Sequence, residues 1–541
     1  MKRARASEVI EALKERGFHY SGKDADGRFT LTGELARQAS EHGIRCEVAL
    51  DPDFFALPRV RLLDIPKHFP AAVPHIGAYG DLCYLAPGSI VLNIFDPVGQ
   101  TIACLDQADR VLCQITKGEL VEDLVEEFFA YWNGPNCLFD VLGDIPGRQH
   151  CLIAEGDDGL HWFITDSVER TTKKIDLLGL KVTRSPPPTY RIKTTAMPRP
   201  NPRSWPPKTV NDILEWQSQL DRSCRRKIHE RIQQGEREKR ICILIFIDSP
   251  LMTYGFAVIY DRSKAKVKLA DRRDTTFGLK VLLLTAMRID DQYLAQRNIP
   301  GMQTLAGKRV GLIGCGTIGG YLAEMLCKAG AGTVGGKLTL VDFDKLLPQN
   351  LGRHRLGFSH LLKNKAVAMV DELQRLAPGI EVEAIQTDAR QVVLNDLDLL
   401  IDATGEESLG HWLCDTTPRT VPMISAWIEG PGSAVRAMIR TEDVSAGCYR
   451  CLWHGNRRGE LRSVVGDVPL VLAGHGCEGL YVPFPASVSV QAASLAMDLV
   501  LDWVNGKSSP TLRTRVLDTT QTAAAADCDL QMDAECPICR S

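Results

Sequence analysis

The chain has 541 residues, of which 44% are hydrophobic and 24% charged, with a formal net charge of −3. That length predicts two to four domains of ordinary globular composition. The near-neutral balance makes no electrostatic case for a nucleic-acid partner, and no apolar run reads as a membrane span. The first seventeen residues are basic but lack an apolar core. They read as an amphipathic helix, with Val9, Ile10 and Leu13 on one face, and not as a secretory signal. Seventeen cysteines without an export signal predict a reducing cytoplasm, with metal or thiol chemistry favoured over disulfides.

In the first 150 residues, Cys46–Ala49 and Val60–Leu63 read as strands and Val121–Trp132 as a helix with apolar residues at helical spacing. Between them lies Pro74-His75-Ile76-Gly77-Ala78-Tyr79-Gly80-Asp81-Leu82-Cys83. A cysteine between apolar residues is most often a small buried hydrophobe. The stretch, however, resembles the active-site region of ubiquitin-conjugating enzymes, nearest their divergent bacterial members. Pro74-His75 stands where that family has its His-Pro-Asn turn, and Gly80-Asp81-Leu82-Cys83 matches its GxxC segment. The resemblance implies an α+β conjugating domain over 1–150 with Cys83 as its thioester cysteine. The family's asparagine, which supports the oxyanion, is absent, so His75 or another polar group has to replace it. Cys104 and Cys113 fall in the apolar patterns Thr101–Leu105 and Ala108–Ile115, which favours core positions.

From 151 to 300 the sequence says less. Cys151–Glu155 and His161–Asp166 read as a strand pair around Gly156–Gly159, Val210–Gln219 and Ser223–Gln234 as helices, and Ile241–Ile247 with Tyr254–Tyr260 as a second strand pair. Ser185–Pro188 and Pro198–Pro207 are proline-rich and read as extended connectors. Arg225–Arg240 carries both signs of charge, as a solvated helix does. The expectation is an α+β bridging domain without catalytic residues.

The remainder, 301–541, carries the densest signal. Val310–Ile313 ends in Gly314-Cys315-Gly316-Thr317-Ile318-Gly319; a helical pattern follows to Lys328, then the apolar run Leu338–Phe343 bearing Asp342, with Asp344 just beyond. This is a nucleotide-binding βαβ unit. Gly314 serves the tight turn, Gly316 the approach of phosphate, and Gly319 the close packing of helix on strand. The glycines alone also fit a dinucleotide carrier. Asn350-Leu351-Gly352-Arg353 and Lys365 argue for a triphosphate, whose cleavage develops negative charge that cations stabilise. Leu397–Ile401 leads into Asp402-Ala403-Thr404-Gly405, which puts a carboxylate at the carboxyl end of a strand, where it could hold Mg²⁺. Ordinary surface charge is the bland alternative for Arg353 and Lys365.

In this order these motifs resemble the adenylation domain of ubiquitin-activating enzymes and of the bacterial ThiF/MoeB-type activators of sulfur-carrier proteins. The resemblance implies a Rossmann-like fold that uses ATP and Mg²⁺. It places Asp342 on the ribose, Asn350, Arg353 and Lys365 on the phosphates, and Asp402 on the magnesium, with Arg355 assisting. It also implies an arginine upstream of the glycine loop, for which Arg288 and Arg297 are the candidates.

Two CxxC pairs, Cys448/Cys451 and Cys536/Cys539, could present four thiolates to a tetrahedral Zn²⁺, although a redox dithiol is open for either pair. The resemblance favours a structural zinc. Between the pairs, Ala473–Gly479 places Cys477 among glycines beside His475 and before a helix over Ser487–Trp503. The resemblance implies that Cys477 is the thioester cysteine of the activating half; a non-catalytic cysteine is the alternative.

Conjugating, bridging and activating domains in this order resemble the fusion enzymes of bacterial anti-phage (CBASS) operons. That resemblance implies ATP-dependent activation of a protein C-terminus as an acyl-adenylate, thioesters on Cys477 and then Cys83, and ligation to a lysine. It further implies a cGAS-like nucleotidyltransferase as the protein activated, and a homodimer. A sulfur-carrier adenylyltransferase is the alternative, but it leaves residues 1–300 unexplained.

Overall fold

The computed structural model describes all residues except 1, 39–42, 67–68, 78, 87, 184–185, 261–275, 475–480 and 541, with backbone only for 2–5. The chain divides into two compact units. One comprises 1–137, 144–151 and 184–287; the other comprises 138–143, 152–183 and 288–541. These units cut across the expected middle segment, 151–300.

The first unit opens with a helix, Lys2–Glu15, whose Val9 and Leu13 are buried. An antiparallel sheet of five strands follows: His19–Lys23, Phe29–Leu35, Ile44–Leu50, Arg59–Leu62 and Asp81–Leu82. The helix Pro97–Lys117 packs on the same core. It starts where Asp96 accepts the Gly99 N–H at 2.8 Å and ends at Gly118 in the left-handed region. The two apolar runs around Cys104 and Cys113 thus belong to one helix. It buries Cys104, Leu105, Ala108 and Leu112, with Cys113 packed partly buried against them.

The helix expected over Val121–Trp132 is instead two short turns, Asp123–Glu126 and Phe128–Tyr131. Glu127 separates them at φ −85, ψ 3, and its carboxylate is taken up by His75. Beyond these turns Trp132 enters an aromatic nest, with ring centroids 5.0 Å from Tyr254 and 5.2 Å from Trp216. Trp205 joins it at 5.3 Å from Trp216 and donates from its indole N–H to the Tyr131 carbonyl at 3.0 Å. The proline-rich segment therefore does not run as a free connector in this unit. A large aromatic within it finds more apolar surface in the nest than in water, and the Pro202 carbonyl accepts the Ala71 N–H at 2.9 Å. Around the nest stand the helices Val210–Leu220 and Arg222–Arg237. The strands are Thr189–Lys193 parallel to Cys242–Asp248, then Thr253–Ile259 and Lys280–Arg288 antiparallel.

The second unit is built on a seven-stranded sheet in the order Val382–Ile385, Lys337–Val341, Arg309–Ile313, Leu399–Asp402, Met423–Glu429, Ala434–Arg440, Leu512–Val516. The first five strands are parallel, Ala434–Arg440 runs antiparallel to its neighbours on both sides, and Leu512–Val516 closes the edge. Helices Thr317–Lys328 and Ala486–Val504 bury Leu322, Leu326, Ala492, Leu495 and Leu499 in one core. By length and apolarity Ala486–Val504 could cross a membrane, which the sequence reading did not anticipate; here its apolar face fills that core.

Candidate active sites and metal centre

Parallel register assembles the nucleotide site. Ile313 lies opposite both Val341 and Asp402, so the glycine loop, Asp342 and Asp402 emerge together at the carboxyl ends of three strands. Gly314 has φ +86, and a Cβ on Gly319 would lie 1.8 Å from the Gly314 carbonyl oxygen, so neither position admits a side chain. Gly316 caps the helix Thr317–Lys328 without a side-chain hydrogen bond, and nothing stands in its Cβ direction. The helix N-terminus is left clear for a phosphate.

Asp342 accepts the Cys315 N–H at 2.7 Å and the Asp344 N–H at 2.8 Å, and burial raises its pKa. Lys365, 8% exposed, begins the helix Lys365–Leu376 behind an Asn364 cap and reaches Asp344 Oδ2 at 2.8 Å. Asp402 is buried. One of its oxygens accepts the Thr404 N–H at 3.0 Å and hydroxyl at 2.7 Å, and burial pushes its pKa up to about 6. A carboxylate so desolvated takes up a proton or a cation. Lone hard oxygen donors beside a phosphate site fit Mg²⁺.

Like Lys365, the other two expected phosphate ligands are engaged within the chain. Asn350 Oδ1 accepts the Leu347 N–H at 2.9 Å. Arg353 donates to the Val482 carbonyl at 2.9 Å and lies 4.3 Å above the Phe484 ring, with its Nε buried and unpartnered. Arg355 pairs with Glu324 and, at 3.9 Å, with Glu372. Of the upstream candidates, Arg288 is held by Asp290 at 2.8 Å, and Arg297 follows the short helix Asp291–Gln296.

Two residues escaped the sequence reading. His354 accepts the Leu356 N–H at Nδ1 and so carries its proton on Nε2, 2.8 Å from the Cys315 carbonyl. Burial lowers its pKa to about 4, and this neutral ring braces the glycine turn. Thr404 fixes Asp402. His354 directly follows the Asn350–Arg353 run and is marked out only by its partner 39 residues upstream, whereas Thr404 lies within the Asp402–Gly405 run, two residues from the carboxylate it fixes.

In the first unit Cys83 is exposed, directly after the strand Asp81–Leu82. Its N–H donates to the His75 carbonyl at 2.8 Å. His75 has φ +60. Its Nδ1 is 2.7 Å from Glu127 and its Nε2 2.9 Å from Asp123, and hydrogen bonding to Glu127 leads the rise of its pKa to about 9. Tyr131 donates to the Val73 carbonyl at 2.6 Å and lies 3.4 Å from Glu127. Burial raises the Cys83 pKa, and the Glu127 carboxylate adds to it. With both ring nitrogens engaged, His75 has no N–H to offer an oxyanion in this arrangement.

Cys477, with His475, lies outside the described residues. Cys448, Cys451, Cys536 and Cys539 come together, with Sγ separations of 3.8 Å (Cys448–Cys451), 3.6 Å (Cys448–Cys536) and 3.6 Å (Cys451–Cys539). Four sulfurs about 2.3 Å from a tetrahedral Zn²⁺ stand about 3.8 Å apart, so the set fits zinc. Disulfide bonding would need contacts near 2.05 Å.

Residues 291–538 match the ThiF family, and residues 21–138 match the prokaryotic E2 family B. An E2-like conjugating domain thus shares one chain with a ThiF-type adenylating domain. A full-length relative, the ATP-dependent ubiquitin transferase-like protein Cap2 of Pseudomonas aeruginosa, is 61% identical over 99% of this chain and 99% of its own. Cap2 of Escherichia coli is 27% identical, with 97% of this chain and 96% of the relative covered. The E. coli sulfur carrier protein ThiS adenylyltransferase is 30% identical over 31% of this chain and 69% of its own. The chain belongs to the Cap2 family of ATP-dependent ubiquitin transferase-like proteins, and is an activating and conjugating enzyme.

Proposed function

We propose that the enzyme adenylates the C-terminal carboxylate of a protein, carries the acyl group as a thioester first on Cys477 and then on Cys83, and transfers it to a lysine amine. The observation that carries this reading is the convergence of the glycine turn, Asp342, Lys365 and Asp402 at three strand ends in a chain that also exposes Cys83 beside a structured turn. Asp342 receives the ribose. The open N-terminus of Thr317–Lys328 and the Lys365 ammonium meet the phosphates, so charge developing on leaving pyrophosphate is stabilised by groups already in place. Asp402, fixed by Thr404, would hold Mg²⁺, which supplies further charge neutralisation on the phosphate oxygens. Arg353 and Asn350 join the phosphates by exchanging their present partners.

Each thioester step is nucleophilic catalysis: the Cys477 thiolate attacks the acyl-adenylate and AMP leaves, the Cys83 thiolate then displaces the Cys477 thiolate, and the acyl bond stays activated until an amine displaces Cys83. The four-cysteine cluster would hold a structural Zn²⁺ closing the C-terminus onto the sheet. A homodimer and a cGAS-like nucleotidyltransferase as the activated protein are proposed from the resemblance to anti-phage fusion enzymes. The adenylation-only alternative gives no role to the E2-like domain.

The test is intact-mass analysis after incubation with ATP, Mg²⁺ and the candidate protein. The parent enzyme should show thiol-labile adducts and release pyrophosphate. Cys83→Ala should keep the adduct on Cys477 and lose ligation, and Cys477→Ala should lose both. Adducts persisting in the double variant would refute the assignment.

A further inference from the structure

Neither of two arginines beside the four-cysteine cluster forms a salt bridge with a carboxylate among the described residues, although the Asp443 charge reaches Arg419. Arg419 donates from Nη1 to Cys539 Sγ at 3.5 Å and from Nη2 to the Asp443 and Ala446 carbonyls at 2.6 Å each; its Nε is buried without an acceptor. The Asp443 carboxylate itself is turned to Ser445. Arg440 is 3% exposed and donates to the carbonyls of Cys414 at 2.7 Å, Pro418 and Val421 at 3.1 Å, and Thr417 at 3.2 Å; its Nε is likewise unpartnered. The ionisable groups that act on Arg440 include the thiols of Cys414, Cys448 and Cys539, together with Arg419 itself.

A permanently charged guanidinium as buried as Arg440, with the partly buried Arg419 near enough to repel it, is unfavourable without negative charge nearby. Carbonyl dipoles offset only part of that cost. Neutral thiols, or two disulfides, would supply no counter-charge. Four thiolates around a divalent ion carry two net negative charges, matching the two arginines.

We propose that Arg419 and Arg440 are the built-in counter-ions of a tetrathiolate metal centre. Arg419 acts directly on the ligand Cys539, and the Asp533 N–H, 3.3 Å from Cys451 Sγ, serves the opposite side. The inference rests on the zinc reading above and deepens it. Metal loading and closure of the C-terminal segment become one event, because an empty cluster takes the thiolate charge away from both cations.

The test measures zinc retained by the full-length chain against increasing chelator, by metal analysis. The parent should hold one zinc per chain. Arg419→Met should lower zinc affinity about ten- to a hundred-fold, as changes to groups that support metal ligands do, and Arg419→Lys should recover most of it. Arg440→Met should weaken retention further; should that variant fail to fold, the Arg419 series stands by itself. Parent-like retention in Arg419→Met, or Arg419→Lys as weak as Arg419→Met, overturns the counter-ion role while leaving zinc in place. A parent chain purified with four free thiols and no zinc overturns the metal reading itself.

Discussion

His75 and Glu127 are joined twice: the His75 backbone N–H meets one Glu127 oxygen at 3.0 Å, and its ring Nδ1 meets the other at 2.7 Å. This clasp ties the turn before Cys83 to the short helical turns that follow the long helix Pro97–Lys117. It also explains how a non-glycine residue is kept at φ +60, a conformation that needs support from its surroundings.

The clasp sets a pH dependence. The His75 pKa rises from 6.5 to about 9 on folding, so the charged ring's contribution is fully present below about 6.5 and is lost as pH rises through about 9. Glu127→Gln should therefore unfold at lower denaturant than the parent at pH 6.5, with the gap narrowing above pH 9. Denaturant titrations of both proteins across that range check it. A gap that widens with pH would contradict the assignment.

At the glycine turn, Gly319→Ala places a Cβ 1.8 Å from the Gly314 carbonyl. Overpacking of this kind costs about 1–3 kcal/mol and pushes the helix off the strand. ATP–pyrophosphate exchange should fall to background in a protein that still folds. Gly316→Ala, whose Cβ meets open space, should be milder in stability while still impairing exchange through the phosphate approach.

Lys365→Met removes the ammonium from the phosphate site and leaves Asp344 unpaired. Loss of a preorganised charge at a reacting centre typically lowers kcat by about a hundred-fold or more. Single-turnover pyrophosphate release should show a drop of that order. Thioester transfer from preformed adduct to Cys83 should be unchanged.

The aromatic nest gives a stability test that touches none of the nucleotide-site residues. Trp132 is 1% exposed and donates to the Gly255 and Leu284 carbonyls at 2.9 and 3.2 Å. Trp132→Ala should destabilise the first unit by about 3–5 kcal/mol. Pyrophosphate exchange measured below the new midpoint should remain near the parent value.

The sequence by itself determined the βαβ unit and the order of the adenylation motifs, because glycine geometry and strand-end carboxylates impose fixed local spacings; that the two CxxC pairs form one cluster came only from the fold. It also placed Cys83 after a turn. Tertiary structure alone decided the rest. The Val121–Trp132 pattern breaks at Glu127 because that carboxylate serves His75, 52 residues away in sequence. Pro198–Pro207 docks through Trp205, and His354 braces a turn 39 residues upstream. Arg419 and Arg440 become part of the cysteine cluster only once the chain's end folds back. Periodicity and motif spacing report what neighbours along the chain must do, whereas burial, charge partnership and the pKa values that follow from them depend on neighbours in space.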